Sequence, residues 1–229
     1  MLIIGDARLP APVRKKLAAF GKFIPFMTRG ITYEAVSGHP DLFFCSFQKQ
    51  LIVAPNLPEQ YIVLLNDNGI DFVKGTKPVG KSYPEIARYN VVITDKYLIH
   101  NNKYTDNSIR QIFQDREWLP VHQGYTRCNL MALSSELFIT SDKGIFKELK
   151  KKQLDVHYFS PEGIILEGFE YGFLGGCLGF WGSKIFVSGK FSHYREGNRL
   201  MALLKNRQYD IVELYDGPLI DGGSLFFLD

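Results

Sequence analysis

The stretch Gly124–Ser160, GYTRCNLMALSSELFITSDKGIFKELKKKQLDVHYFS, decides the fold because it contains one complete structural unit. Apolar, β-prone residues on both sides of a turn at Ser134–Ser135 predict two paired strands, the second at Leu137–Thr140. A helix is predicted over Gly144–Lys152, since its apolar residues recur at helical spacing and its last turn is basic. Residues 156–159 predict a third strand. The unit is therefore strand, strand, helix, strand.

The same unit recurs on both sides of this stretch. Three further complete copies are predicted at Gly38–Gly75, Tyr83–Gln123 and Gly172–Leu214. A partial copy at Leu2–Met27 lacks only its first strand, and Asp221–Leu228 supplies a single strand at the other end of the chain. The strand at the C-terminal end is thus the one that the N-terminal copy lacks.

The spacing of the units predicts a closed arrangement. The second strands begin roughly 40 to 49 residues apart, and counting from the last one through the termini gives about the same step. Antiparallel pairing of Leu225–Leu228 with Leu2–Ile4 is expected to join the ends. The predicted fold class is α+β, a five-fold pseudosymmetric α/β propeller that forms a single domain over residues 1–229. The alternative is chance recurrence of this element order in an ordinary α+β protein.

Composition narrows the classes of function. The chain has 229 residues, of which 45% are apolar, so it can bury a core, and its net charge of +3 is too small to predict nucleic-acid binding. The start MLIIGDARLP lacks a basic segment and is interrupted by Asp6, which predicts neither a signal peptide nor a membrane span. Cys45, Cys128 and Cys177 have no C-x-x-C spacing, which predicts no disulfide framework, no zinc site and a reducing, cytoplasmic setting.

Three short motifs stand at the starts of units. His39-Pro40-Asp41 precedes an apolar run, Gly124–Cys128 (GYTRC) ends in a cysteine, and Asp221–Ser224 (DGGS) precedes the last strand. Together with the five units, these motifs resemble the pentein fold of guanidino-group-modifying enzymes such as arginine deiminase, dimethylarginine dimethylaminohydrolase and agmatine deiminase. A ribosome-binding translation initiation factor that is not an enzyme shares this fold. The motifs keep the cyclic order of the enzymes but open the ring elsewhere, which resembles a circular permutation.

The resemblance implies roles for four residues. Cys128 matches the nucleophile, His39 the general acid/base, and Asp41 and Asp221 the carboxylates that bind the guanidinium. Because a guanidinium is stabilised by resonance, attack requires a thiolate, carboxylates that orient its N–H groups and a base that moves protons. The implied activity is hydrolysis of a small cationic guanidino or amidine compound through a covalent thiouronium intermediate, with amidino transfer as a second possibility. No metal or organic cofactor is required, and Arg127 is a candidate for lowering the pKa of the thiol.

Two departures from the family motifs leave other functions open. Ser224 stands where the family has a second acid, and Phe173–Cys177 (FLGGC) lacks the aspartate expected in its unit. The alternatives are therefore a non-catalytic binding module that contacts a macromolecule, and a degenerate site that binds a small cation without turnover.

Each motif residue also has a purely structural interpretation. Cys128 can be a small buried apolar residue, His39 the cap of a turn, Asp41 a cap at the entry of a strand, and Asp221 part of a turn with two glycines. The catalytic interpretation adds a requirement, because it needs all four side chains to line one pocket.

Overall fold

The structure, a computed structural model, describes residues 1–229 and contains fifteen strands and six α-helices. The strands are β1 (Leu2–Asp6), β2 (Lys22–Phe26), β3 (Phe44–Phe47), β4 (Gln50–Val53), β5 (Val73–Lys74), β6 (Val92–Ile93), β7 (Tyr97–His100), β8 (Glu117–Pro120), β9 (Leu130–Ala132), β10 (Leu137–Thr140), β11 (Asp155–Tyr158), β12 (Leu178–Trp181), β13 (Lys184–Val187), β14 (Asp210–Glu213) and β15 (Phe226–Leu228). The helices are α1 (Ala11–Leu17), α2 (Glu59–Asp67), α3 (Asn107–Ile112), α4 (Thr126–Asn129), α5 (Lys143–Lys151) and α6 (Gly197–Asn206). The fold is therefore mixed α/β.

The strands form five separate three-stranded sheets with one connection pattern. Their strand orders are β15-β1-β2, β3-β4-β5, β6-β7-β8, β9-β10-β11 and β12-β13-β14. In every sheet the central strand pairs antiparallel with the first strand and parallel with the third, and a helix connects the central strand to the third. The strand, strand, helix, strand unit predicted from the sequence is thus present five times.

One of the five sheets combines the two ends of the chain. Strand β15 pairs antiparallel with β1, and the register joins Leu2 to Leu228 and Ile4 to Phe226. The N-terminal amine lies 3.8 Å from the Asp229 carboxylate beside this pairing. The predicted pairing of the chain ends is confirmed.

The segments that lead into the first strands differ from the prediction. The sequence predicted a strand over Asp41–Phe47, but Pro40–Leu42 is a 3-10 turn and β3 begins only at Phe44. Proline at the first position of a helical turn has its φ preset and needs no N–H partner, which favours the turn. A second 3-10 turn, Gly175–Cys177, precedes β12, and α4 precedes β9. The motif residues therefore lie on tight turns rather than on strands.

Each connecting helix is held to the molecule by apolar residues. Each of these helices has at least one fully buried apolar residue: Leu17 in α1, Leu65 in α2, Ile109 in α3, Leu149 in α5 and Leu204 in α6. Burying a side chain of this size contributes about 2 kcal/mol relative to exposure. The largest apolar cluster contains 28 buried residues and includes both strands of the joined chain ends. None of the helices has the length and apolar character needed to span a membrane.

Candidate active site

A cavity lies at the turns that precede the first strands. His39, Cys128 and Asp221 line it and are only 2–3% exposed, so they form its floor. Its empty space is about 440 Å³, counted out to the open mouth. Five aromatic residues line the walls and mouth: Tyr33, Tyr125, Phe169, Tyr171 and Phe173. Three of the four residues singled out from the sequence therefore meet in one cavity.

The thiol of Cys128 is held by side chains from two other units. Its Sγ donates a hydrogen bond of 2.9 Å to Asp41 Oδ2 and accepts one of 3.2 Å from Asn90 Nδ2. The backbone N–H of Cys128 donates to Asn90 Oδ1 at 3.1 Å, which fixes the start of the turn. Burial, and then the negative charge of Asp41, raise the pKa of Cys128 well above its ordinary value. The thiol is therefore protonated at neutral pH, since burial and the charge of Asp41 outweigh any neighbouring positive charge.

Asp41 is placed differently from the other three residues. It is fully buried and does not line the cavity, because it lies behind the thiol that it contacts. Its Oδ2 also accepts a hydrogen bond of 3.3 Å from Ser224 Oγ, whereas its Oδ1 is buried and has no hydrogen-bond partner. An unsatisfied buried acceptor is costly, and such atoms often mark the place of a ligand or an ion.

Asp221 is fixed by backbone donors on both sides. Its carboxylate accepts hydrogen bonds from the N–H groups of Phe173 at 2.8 Å and Gly223 at 3.1 Å. Burial raises the pKa of Asp221, and the nearby His39 opposes this shift. A side chain at Gly176 would collide with the Asp221 carboxylate. The glycine at position 176 therefore allows the close approach of Asp221 to the FLGGC segment.

His39 faces Asp221 across the floor. Its Nδ1 lies 3.9 Å from Asp221 Oδ1, and its Nε2 is buried without a hydrogen-bond partner. Gly223, at φ +67°, touches His39 so closely that a side chain there would collide with it. The side-chain donor atoms of His39, Asp41 and Cys128 lie within 4.8 Å of one another. This set combines a thiol, an imidazole and a carboxylate, side chains of the types used as nucleophile and proton carrier in enzymes, and it also has donor types that bind zinc.

Ser224 replaces the second acid without leaving a gap. Its backbone has φ +67°, and its Oγ lies 3.1 Å from Gly175 O and 3.3 Å from Asp41 Oδ2. A carboxylate at this position would stand directly beside Asp41, and two like charges so close would repel. The serine therefore lowers the negative charge of the floor and supplies a donor instead.

Asn90 is the site residue that sequence reasoning missed. It precedes β6 as Cys128 precedes β9, and its side chain contacts both Cys128 Sγ and the carbonyl of Asp41. Its equivalent position in the repeated unit was the available signal. Arg127, by contrast, stacks over the Phe226 ring at 4.4 Å.

Comparison with known proteins agrees with the fold. The chain is similar to SxtG, an amidinotransferase of the saxitoxin pathway from Microseira wollei, with a TM-score of 0.53 and 11% identity over 92% of this chain and 87% of the other. It is also similar to DDAH from Pseudomonas aeruginosa, whose structure is that of a cysteine-to-serine mutant with citrulline. The TM-score is 0.52, with 6% identity over 93% of this chain and 91% of the other. For agmatine deiminase from C. jejuni the TM-score is 0.52, with 11% identity over 88% of this chain and 73% of the other.

These solved structures are members of the pentein superfamily, so the predicted resemblance is confirmed at the level of the fold. No curated protein sequence matches the chain. Residues 4–226 match a family of unknown function, DUF6873. The chain therefore belongs to the DUF6873 family and has a pentein-type fold.

Proposed function

We propose that the chain is an enzyme that hydrolyses a guanidino or amidine compound with Cys128 as the nucleophile. The observation that carries the proposal is the thiol of Cys128 on the floor of a cavity, 2.9 Å from the Asp41 carboxylate and beside His39 and Asp221. The similar structures are those of an amidinotransferase, DDAH and an agmatine deiminase, enzymes of the same class of chemistry. The non-catalytic alternative has no comparable support among them.

The cavity lining contains no lysine or arginine to pair with the carboxylates in or behind it. Asp221 lines the cavity with a raised pKa, and Asp41 holds an unpaired Oδ1 behind the thiol. A bound guanidinium supplies N–H donors to Asp221 through charge-assisted hydrogen bonds, and its positive charge also offsets the negative charge of Asp41 behind the thiol. The same positive charge beside Cys128 lowers the pKa of the thiol, so the substrate itself promotes formation of the nucleophile.

In the first step, Sγ forms a bond to the central carbon of the cation while Asp41 Oδ2 accepts the thiol proton. The π electrons of the attacked C–N bond move onto nitrogen, which gives a neutral tetrahedral adduct. His39, in its charged form, then gives a proton to the departing nitrogen. That C–N bond breaks, a neutral amine or ammonia leaves, and a thiouronium cation remains on Cys128.

In the second step, water attacks the same carbon and gives one proton to His39, which regains its charge. The C–S bond then breaks, and the departing sulfur takes its proton back from Asp41, its hydrogen-bond partner. The hydroxyl proton of the adduct passes through solvent to the released amine, which becomes an ammonium ion. A guanidine is thereby converted into a ureido compound, and the site ends in its starting state.

The proposal includes the arrangement of the units and the setting of the reaction. We place the five sheets around one axis as a propeller that forms a single domain over residues 1–229. A bridge between Gly179 and Leu225, which links neighbouring sheets, supports this arrangement. Cys45, Cys128 and Cys177 are all free and buried, which supports a reducing, cytoplasmic setting.

Two matched reagents test the site, 2-chloroacetamidine and its neutral analogue 2-chloroacetamide. Both lose chloride to a thiol, but only the amidine is a cation that the carboxylates attract. We expect the amidine to alkylate Cys128 at least about tenfold faster than the amide, as measured by mass spectrometry with a chelator present. With the neutral amide, the rate should keep rising beyond the ordinary thiol pKa of about 8.5, because burial raises the pKa of Cys128.

Variants connect this reactivity to the proposed roles. Asp221→Asn should remove the preference for the amidine, and His39→Ala should slow the turnover of any guanidino substrate. Asp216→Asn is the matched control, since Asp216 is an exposed carboxylate that already pairs with His193 and Lys190. Equal labelling of all three cysteines, or labelling of none, contradicts a nucleophilic Cys128. Selective labelling without turnover of guanidino compounds would identify a degenerate binding site.

A further inference from the structure

The cavity is polar at its floor and apolar above it. Of the eleven residues that line it, nine are hydrophobic, and the other two are His39 and Asp221. Its lining contains no lysine and no arginine. A cation can therefore be paired only at the bottom of the cavity, and whatever is attached to that cation must lie against apolar and aromatic surface.

The mouth is formed by aromatic rings that remain exposed. Phe169 and Tyr171 are 52% and 39% exposed, and the ring of Tyr33 lies 6.0 Å from that of Phe169. Exposed large apolar side chains that gather from two segments of the chain at one opening mark a binding surface. Aromatic rings also favour flat or alkyl groups stacked on their faces. An apolar substituent that covers these side chains removes their apolar surface from water, which favours binding.

Arg8, in an adjoining cavity, is already paired and cannot serve an anionic group at this mouth. Arg8 lines a second cavity, which adjoins the first because both share Leu166 and Asp221. Its guanidinium pairs with Asp6 at 2.6 Å and donates to two backbone carbonyls at 2.9 Å each. The pKa of Arg8 is raised, chiefly by the hydrogen bond with Asp6. Glu167 also lines this second cavity, so no net positive charge faces the first one.

We infer that the substrate is a guanidinium or amidinium whose remaining part is uncharged and apolar, an alkyl or aryl group, rather than an amino acid. This inference rests on the proposed function, because it takes the cation to bind at Asp221 and Cys128. A carboxylate on the same molecule would be desolvated against aromatic rings without a partner, which is unfavourable. An alkyl chain of similar length would instead cover the exposed rings.

A matched pair of ligands tests the inference directly. Butylguanidine and 4-guanidinobutanoate have the same number of carbon atoms and differ in a terminal methyl group against a carboxylate. Titration calorimetry on Cys128→Ser, which keeps the cavity but lacks the nucleophile, measures their binding without reaction. We expect butylguanidine to bind at least about tenfold more tightly, since one ligand buries a methyl group and the other an unpaired charge.

A charge placed at the mouth should change this preference. Phe169→Arg, made in the same Cys128→Ser background, adds a cation where the carboxylate of 4-guanidinobutanoate would lie. Because Phe169 is half exposed, the protein should fold unchanged. We expect the preference to fall by at least about tenfold or to reverse. Phe180→Arg is the control, since Phe180 is 41% exposed on β12, outside the cavity lining, and it should leave the preference unchanged.

The outcomes separate this inference from the proposed function. If chloroacetamidine does not label Cys128 in the unmodified chain but butylguanidine keeps its advantage, the catalytic proposal is wrong and the apolar preference is upheld. If butylguanidine does not bind, or 4-guanidinobutanoate binds equally well or better, the apolar preference is overturned even when Cys128 is labelled. An equal effect of Phe180→Arg and Phe169→Arg also overturns it, because the preference would then not arise at the mouth.

Discussion

Two buried carboxylates in this molecule have opposite surroundings. Asp106 and Asp221 are 1% and 3% exposed, so burial alone does not distinguish them. Burial by itself would raise the pKa of Asp106, but hydrogen bonds from Ser108, Thr76 and Lys77 outweigh it, and the pKa is lowered. Asp221 has two backbone donors, and burial raises its pKa. The first carboxylate is saturated by its own chain, whereas the second retains capacity for a ligand.

The two histidines nearest these carboxylates repeat the contrast. His100 is buried with both ring nitrogens engaged, as Nε2 donates to Gly124 O at 2.8 Å and Nδ1 lies 2.6 Å from Thr105 Oγ1. His39 is buried with an unpartnered Nε2. Groups that are equally buried can therefore have different roles. A group whose hydrogen-bonding atoms all have partners stabilises the fold, whereas a group with an unpartnered atom is available for binding or proton transfer.

The largest effect on stability is expected where the carboxylate is saturated. Asp106→Ala leaves the N–H groups of Thr76, Lys77 and Ser108 without their acceptor. An unsatisfied donor costs about 1–3 kcal/mol when buried, as that of Ser108 is, and less when partly buried, as those of Thr76 and Lys77 are. We therefore expect the free energy of unfolding to fall by about 4 kcal/mol in urea denaturation. A loss below about 1 kcal/mol would show that water replaces the carboxylate, and it would contradict a structural role for Asp106.

The next effect concerns the pH dependence of stability. Burial lowers the pKa of His100 from 6.5 to about 4. Between these values the unfolded chain binds a proton that the folded chain excludes. The free energy of unfolding should therefore fall as the pH is lowered from 6.5 to 4, by about 3 kcal/mol in total.

Chemical denaturation at a series of pH values measures this slope. His100→Gln should be less stable but should lose this part of the pH dependence. His122→Gln, at an exposed histidine, is the control and should keep it. An unchanged slope in His100→Gln would contradict the assignment.

The smallest stability effect is expected at the unsaturated carboxylate. A raised pKa means that the charged form of Asp221 is disfavoured by folding, so stability linked to this group increases as the pH falls through its raised value. Asp221→Asn removes the charge while its side-chain oxygen can still accept from a backbone donor. We expect a free energy of unfolding equal to the parent or up to about 1 kcal/mol higher, measured near neutral pH. A clear loss of stability would place Asp221 with Asp106 as a structural group.

The repeated unit could be predicted because the local spacing of apolar residues determines each of its strands and helices. Strand β10 occupies Leu137–Thr140 as predicted, and α5 spans Lys143–Lys151 against a prediction of Gly144–Lys152. Alternating and helical spacing of apolar residues determine such elements within about ten residues of chain. The pairing of the chain ends followed from counting these units, since a missing first strand and a surplus last strand complement each other.

The details of the site depend on contacts between units and could not be read locally. The hydrogen bond from Cys128 to Asp41 spans 87 residues, and that from Asn90 to Cys128 spans 38. The motif resemblance identified three residues that line the cavity, but it did not show that Asp41 lies behind the thiol. Asn90 had no motif of its own, so only the equivalence of positions across units pointed to it.

The pairing of β15 with β1 also determines when the site can form. Leu2–Asp6 is synthesised well before Phe226–Leu228, so the sheet they share is incomplete until β15 has been made. Asp221 comes from the turn directly before β15, and it reaches His39 only through this closure. On a nascent chain that has not yet reached β15, the thiol of Cys128 therefore lacks part of its set of partners, and assembly of the site waits for β15.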